Sequence, residues 1–187
     1  QNDWTHDSYR EESDYSCNPK NIYLKMKTIF LIRHAKSSWG NEQVPDHDRI
    51  LNERGLRDAP LMGEKLKSLY MEPDKIICST AQRAKETAHL IGQKWFPEKD
   101  IEFMQRLYES YPSDVLKILN SIPQDIQSVA LFFHNPTITV LANMLGILDL
   151  PNVPTCGVVV LHCDKKDWQS VEIGNCSLEN FEYPKKI

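Results

Sequence analysis

Arg33 and His34 stand side by side directly after the apolar run Thr-Ile-Phe-Leu-Ile, and that pair of residue types is suited to phosphate chemistry. A phosphate dianion asks for planar, permanently charged, multidentate donors, which arginine supplies and lysine does not. A neutral imidazole, with an ordinary pKa of about 6.5, is largely unprotonated at neutral pH and can attack phosphorus in line. Two more segments carry matching groups: Ser79-Thr-Ala-Gln-Arg83, and His134-Asn135-Pro136 behind Ser-Val-Ala-Leu-Phe-Phe. Phosphoryl transfer depends on positioning and on stabilising charge at the equatorial oxygens, so two arginines and two histidines around one anion leave no need for a metal. Taken singly, each has a plainer reading. Arg33-His34 would be a solvated strand end, Arg83 a helix residue pairing with Glu86, and His134 a capping or core histidine. Their weight comes from arriving together, and that depends on the elements around them.

Those elements alternate. Thr28–Ile32 is a run of β-formers of the kind buried on both faces. Asn52 can cap a helix with apolar positions Leu56, Ala59, Met62, Leu66 and Leu69, expected to break or kink at Pro60. Lys75–Cys78 predicts a second strand, Ala81–Phe96 a helix, Ile101–Met104 a weaker strand, and Ser113 the cap of a third helix. Ser128–Phe133 predicts another buried strand and Thr137–Leu145 another helix. Gly157–His162 and Trp168–Ile173 read as a closing hairpin that turns at residues 164–167. Strands alternating with helices indicate an α/β three-layer sandwich, with helices on both faces of a mostly parallel sheet. In such sheets ligands bind beyond the carboxyl ends of the strands, where Arg33-His34, Ser79 to Arg83, and His134 all fall. Helix N-termini beside these loops add free N–H donors and partial positive charge.

Composition narrows the class. The chain has 187 residues, 41% apolar and 26% charged, with a net charge of -4. That is the balance of an ordinary globular domain, with no global pull toward nucleic acid or an anionic membrane. No run of about 18 apolar residues predicts a membrane span. Five cysteines without Cys-x-x-Cys spacing suggest reduced thiols in a cytoplasmic protein rather than a zinc ribbon or a disulfide framework. Residues 1–25 read as a polar tail or extension ahead of Met26, and residues 26–187 as a single domain.

Four segments in order, Ile32-Arg33-His34-Ala35, Ser79-Thr-Ala-Gln-Arg83-Ala-Lys-Glu-Thr87-Ala, Leu107-Tyr108-Glu109 and His134-Asn135-Pro136, resemble the motifs of the histidine phosphatase superfamily, the phosphoglycerate mutase-like fold. Asp46-His-Asp-Arg49-Ile-Leu-Asn-Glu-Arg-Gly55 is similar to a segment of its short phosphohistidine phosphatases of the SixA type. The resemblance spans about Lys27 to Ile173. It implies that His34 becomes a phosphohistidine intermediate, that Arg33, Arg83 and His134 clamp the phosphate, that Asn135 and Arg49 also bind it, with Arg49 lining the entrance, and that Glu109 protonates the leaving group. It implies no cofactor and no metal. The substrate would be a phosphohistidine protein or a small phosphorylated metabolite. Two departures stand out: Ala35 where glycine is commoner after the histidine, and Phe133 where glycine often precedes the second one.

Other mechanisms fare worse. Cys78-Ser-Thr-Ala-Gln-Arg83 is one residue short of the cysteine-phosphatase loop, and its cysteine belongs to the strand. A metal hydrolase would not surround its histidines with arginines, which repel a cation. A phosphate- or phosphopeptide-binding module without turnover would have no need of His34, and a mutase would need a cap that the short chain lacks. His6, His47, His89 and His162 have no partner pattern and read as ordinary surface or half-buried histidines.

Overall fold

A computed structural model describes residues 26–39 and 43–187; the expectation of an N-terminal tail lies outside the described residues. Six strands form one mixed sheet: β1 (Lys27–Arg33), β2 (Lys75–Ser79), β3 (Ile101–Met104), β4 (Ser128–Phe133), β5 (Val158–Cys163) and β6 (Cys176–Glu182). Their order is β3-β2-β4-β1-β5-β6. The first four run parallel, while β5 is antiparallel to both β1 and β6. Helices α1 (Glu53–Leu69), α2 (Gln82–Trp95), α3 (Pro112–Asn120) and α4 (Thr137–Gly146) cover it.

The strands read as continuous apolar runs because both faces are covered. Along β1 and β4, Ile29, Leu31, Val129, Leu131 and Phe133 enter one core, closed by α3 and α4. Their neighbours Phe30, Ile32, Ala130 and Phe132 enter the other, closed by α1 and α2. This is the period-two alternation of a strand, with an apolar layer on each side. Phe133, the departure ahead of His134, is fully buried and fills the first core.

Four expectations need correction. Helix α1 runs through Pro60 without a break; burial of Ala59, Met62 and Leu66 outweighs the lost backbone bond, while Leu56 and Leu69 lie half exposed. The cap of α3 is Tyr111 rather than Ser113, because Pro112 takes the first helical position and the Asp114 carboxylate accepts from the Tyr111 N–H at 3.0 Å. The second hairpin strand is Cys176–Glu182, not residues 168–173. Trp168 and Val171 plug the core instead, with the Trp168 indole donating to the Ile126 carbonyl at 2.8 Å.

The shifted strand also overturns the expectation of reduced thiols throughout. Cys163 and Cys176 face each other across β5 and β6, with Cα atoms 4.0 Å apart, and are joined by a disulfide. Cys78 and Cys156 are free and buried, and Cys17 lies outside the described residues. No helix among the described residues is long and apolar enough to cross a membrane.

Candidate active site

Strands β1, β4 and β2 are neighbours, so the loops leaving their carboxyl ends meet. A cavity of about 490 Å³ opens there, and Arg33, His34, Arg49, Arg83, Glu109, His134 and Asn135 all line it. All seven residues expected at the site from the sequence thus reach one pocket. Among the described residues its charged lining comprises four cations (Arg33, Lys36, Arg49, Arg83) and two carboxylates (Asp46, Glu109). The excess is positive although the chain as a whole is acidic, and an anion suits it.

His34 is held at three successive backbone groups, its own N–H and carbonyl and the N–H of Ala35. Its own N–H donates to the Phe133 carbonyl at 3.2 Å, and its carbonyl accepts from Cys156 at 3.1 Å. The Ala35 N–H donates to Thr87 Oγ1 at 2.9 Å, and that hydroxyl donates to the Arg83 carbonyl at 2.7 Å, tying the loop to α2. The methyl of Ala35 is fully buried in the core under α1 and α2. Nδ1 of His34 lies 2.8 Å from the Ala35 carbonyl. A carbonyl only accepts, so Nδ1 carries the proton and Nε2 keeps its lone pair. Burial, and then Arg83, Arg33 and Arg49, push the His34 pKa down to about 3. The ring is neutral at every physiological pH.

His134 starts the turn into α4. Its pKa is pushed down to about 2, first by burial and then by His34 and Arg83. The two imidazole centroids are 5.1 Å apart.

The three arginines share one arrangement. Arg33 donates through Nη1 to the Val153 carbonyl at 2.8 Å. Arg83 donates through Nη1 to the Asp46 carbonyl and through Nη2 to the Asp46 carboxylate at 2.9 Å. Arg49 donates to Ser37 Oγ at 2.6 Å, pairs with Asp46 at 3.0 Å, and stacks on the Trp39 ring 3.6 Å from its centre. Protein acceptors thus engage terminal nitrogens, while Nε of each is buried without a partner. Nδ1 of His134 is the fourth such atom. Among the described residues these four are the whole set of buried side-chain nitrogens and oxygens lacking a hydrogen bond.

Glu109 is exposed on the cavity wall. The side chain of Asn135 is committed within the protein: its amide donates to Asn152 at 2.6 Å and to the Val153 carbonyl, and its oxygen accepts from Thr139 at 2.7 Å. It braces the α4 turn against residues 152 and 153.

Sequence reasoning missed Asp46, whose carboxylate joins Arg83, Arg49 and the Tyr108 hydroxyl, the last at 2.8 Å. These partners hold its pKa below the usual carboxylate range despite partial burial. An acid three residues before Arg49 was the available signal. His47, read as an ordinary histidine, touches Thr80 Oγ1 at 3.1 Å and the Tyr108 ring edge-on beside the pocket. Cys78 is buried in the core, where desolvation raises its thiol pKa, so it is no thiolate.

Residues 29–116 match the model of the histidine phosphatase superfamily (branch 1). The chain belongs to that superfamily. An uncharacterized protein of Mycobacterium leprae is 32% identical over 82% of this chain and its own whole length. A solved structure from Agrobacterium tumefaciens, assigned as a phosphohistidine phosphatase SixA, is 30% identical, with a TM-score of 0.72 over 84% of this chain and 98% of its own. A SixA-assigned structure from Nakamurella multipartitia shares the fold at a TM-score of 0.74 and 24% identity, over 85% of this chain and 96% of its own. Within the superfamily the chain falls in the SixA-type branch, and it is a phosphatase by that membership.

Proposed function

We propose that this phosphatase works through a covalent phosphohistidine on His34, without a metal, and that its substrate is a phosphohistidine in a protein or a small phosphate ester. One observation carries the reading. The buried, unpartnered nitrogens of Arg33, Arg49, Arg83 and His134 all belong to residues around His34. Buried polar groups are almost always paired, so four orphans at one cavity mark where an oxyanion is wanted. The cationic excess of the lining supports the metal-free form of the proposal.

In the first step Nε2 of His34 attacks phosphorus, the P–Nε2 bond forms and the bond to the leaving group breaks. Nδ1–H stays on the Ala35 carbonyl, which steadies the charge developing on the ring. Arg33, Arg83 and His134 hold the equatorial oxygens and Arg49 guards the mouth. A phosphoramidate nitrogen, once protonated, leaves without further help, whereas an ester oxygen draws a proton from Glu109. In the second step water attacks phosphorus, giving Glu109 back the proton spent on an ester leaving group, P–Nε2 breaks, inorganic phosphate departs and neutral His34 returns. Asn135 acts by bracing the loop.

The test is phosphate release from an aryl phosphate and from a phosphohistidine peptide, with and without a chelator, for the wild type and His34→Asn. Release by the wild type that survives chelation, and its loss in His34→Asn with phosphate binding retained, is the expected result. Inhibition by chelator contradicts the metal-free mechanism.

A further inference from the structure

The two ring nitrogens of His134 have different surroundings. Nε2 lies 2.8 Å from Oγ of Ser79, while Nδ1 is buried with no partner. Ser79 is the last residue of β2, and its neighbour Cys78 pairs in register with Phe132 of β4, so the serine and the histidine leave adjacent strands together. The serine is fully buried, so water cannot take its hydroxyl proton. Its oxygen already accepts from the Ala81 N–H at 3.3 Å, where α2 begins. If Nε2 donated to Oγ, the serine proton would be left without an acceptor in the interior, and such groups are expensive to bury. If Oγ–H donates to Nε2, the hydroxyl is satisfied and the imidazole proton must sit on Nδ1.

We propose that Ser79 is a positioning residue that fixes His134 in its Nδ1–H tautomer, so that the neutral ring presents an N–H rather than a lone pair to a phosphate oxygen. The inference rests on the phosphatase reading above. The other tautomer, which a free imidazole side chain prefers, would aim a lone pair at the oxyanion. The donor is therefore created by a residue that need not touch the substrate.

Two measurements test it. Nitrogen-15 chemical shifts and long-range couplings of His134 in the wild-type protein at neutral pH should report a protonated Nδ1 and an unprotonated Nε2. Ser79→Ala should move the ring toward Nε2–H and lower kcat/KM by about ten- to a hundredfold, the value of one hydrogen bond to a charged group. Ser79→Thr, which keeps the hydroxyl, should restore the wild-type tautomer. A wild-type His134 protonated on Nε2 overturns the proposal. So does a Ser79→Ala protein that keeps kcat/KM within about twofold, against the hydrogen-bond value expected. An inert wild-type protein would instead sink the phosphatase reading, and the tautomer measurement would still decide the role of Ser79.

Discussion

Lowering the pH from about 8 to about 5 should cost this protein stability through His34 and His134 in particular. In the unfolded chain each imidazole titrates near 6.5. In the folded chain both pKa values lie far lower, at about 3 and about 2. A histidine whose folded pKa is lowered leaves stability untouched above 6.5; as pH falls below that value the unfolded state takes up a proton that the folded state refuses, and stability declines until the folded pKa is reached. At pH 5 each unfolded imidazole is about 1.5 units past its midpoint, which at 1.36 kcal/mol per unit comes to about 2 kcal/mol per residue, or about 4 kcal/mol for the pair. Both rings remain neutral in the folded protein throughout the window. Against a typical folding free energy of roughly 5–15 kcal/mol the loss is large. Urea unfolding at the two pH values, in buffer free of phosphate so that ligand binding adds nothing, should be compared for the wild type and for the His34→Asn, His134→Asn double variant. The wild type should lose about 4 kcal/mol more than the variant between the two pH values. Equal losses would refute the claim that these two histidines are buried neutral.

Three more outcomes follow from the packing and the site. Gly55→Ala lies in a helix, where the change normally gains up to about 1 kcal/mol. Here the new Cβ would stand 2.3 Å from the Lys36 carbonyl oxygen, so thermal unfolding should show a loss of about 1–3 kcal/mol, and turnover should fall because the displaced backbone is two residues from His34. Phe133→Ala should cost about 3–5 kcal/mol in chemical denaturation with little change in kcat measured well below Tm, because the ring fills the core while the chemistry lies beyond the strand end. Glu109→Gln should slow alkyl phosphate hydrolysis by about a hundredfold or more and phosphohistidine hydrolysis far less; equal losses in steady-state assays would remove the acid from the mechanism.

The α/β layering was legible because both faces of β1 and β4 are buried, which leaves unbroken apolar runs such as Thr28–Ile32 and Ser128–Phe133. The arginine and histidine pairs were legible because the strand ends that carry them adjoin one another in the sheet. The closing strand was not. Cys176–Glu182 is an edge strand with three consecutive exposed side chains, Ser177, Leu178 and Glu179, and so no alternating pattern there, while Trp168 and Val171, which read as a strand, serve as core plugs. That misplacement also concealed the disulfide, since Cys176 faces Cys163 only in the true register. The support around the site was hidden for a different reason. Apart from the local pair of Asp46 with Arg49, Asp46, Ser79 and Thr87 reach the site through side-chain hydrogen bonds to residues 37, 55 and 52 positions away, and no local spacing encodes those long-range bonds. Asn135 shows the converse: it stands next to a key histidine in sequence, yet its side chain is spent on structure.

The central claim is that His34 carries the phosphoryl group during turnover. Rapid quenching of the enzyme with an aryl phosphate into alkali, which preserves phosphohistidine, followed by intact-mass and peptide analysis, tests it directly. The account predicts one phosphoryl group per chain, located on His34, formed and lost at rates compatible with kcat, and absent from His34→Asn. A phosphoryl group on another residue, or full turnover by His34→Asn, would contradict it.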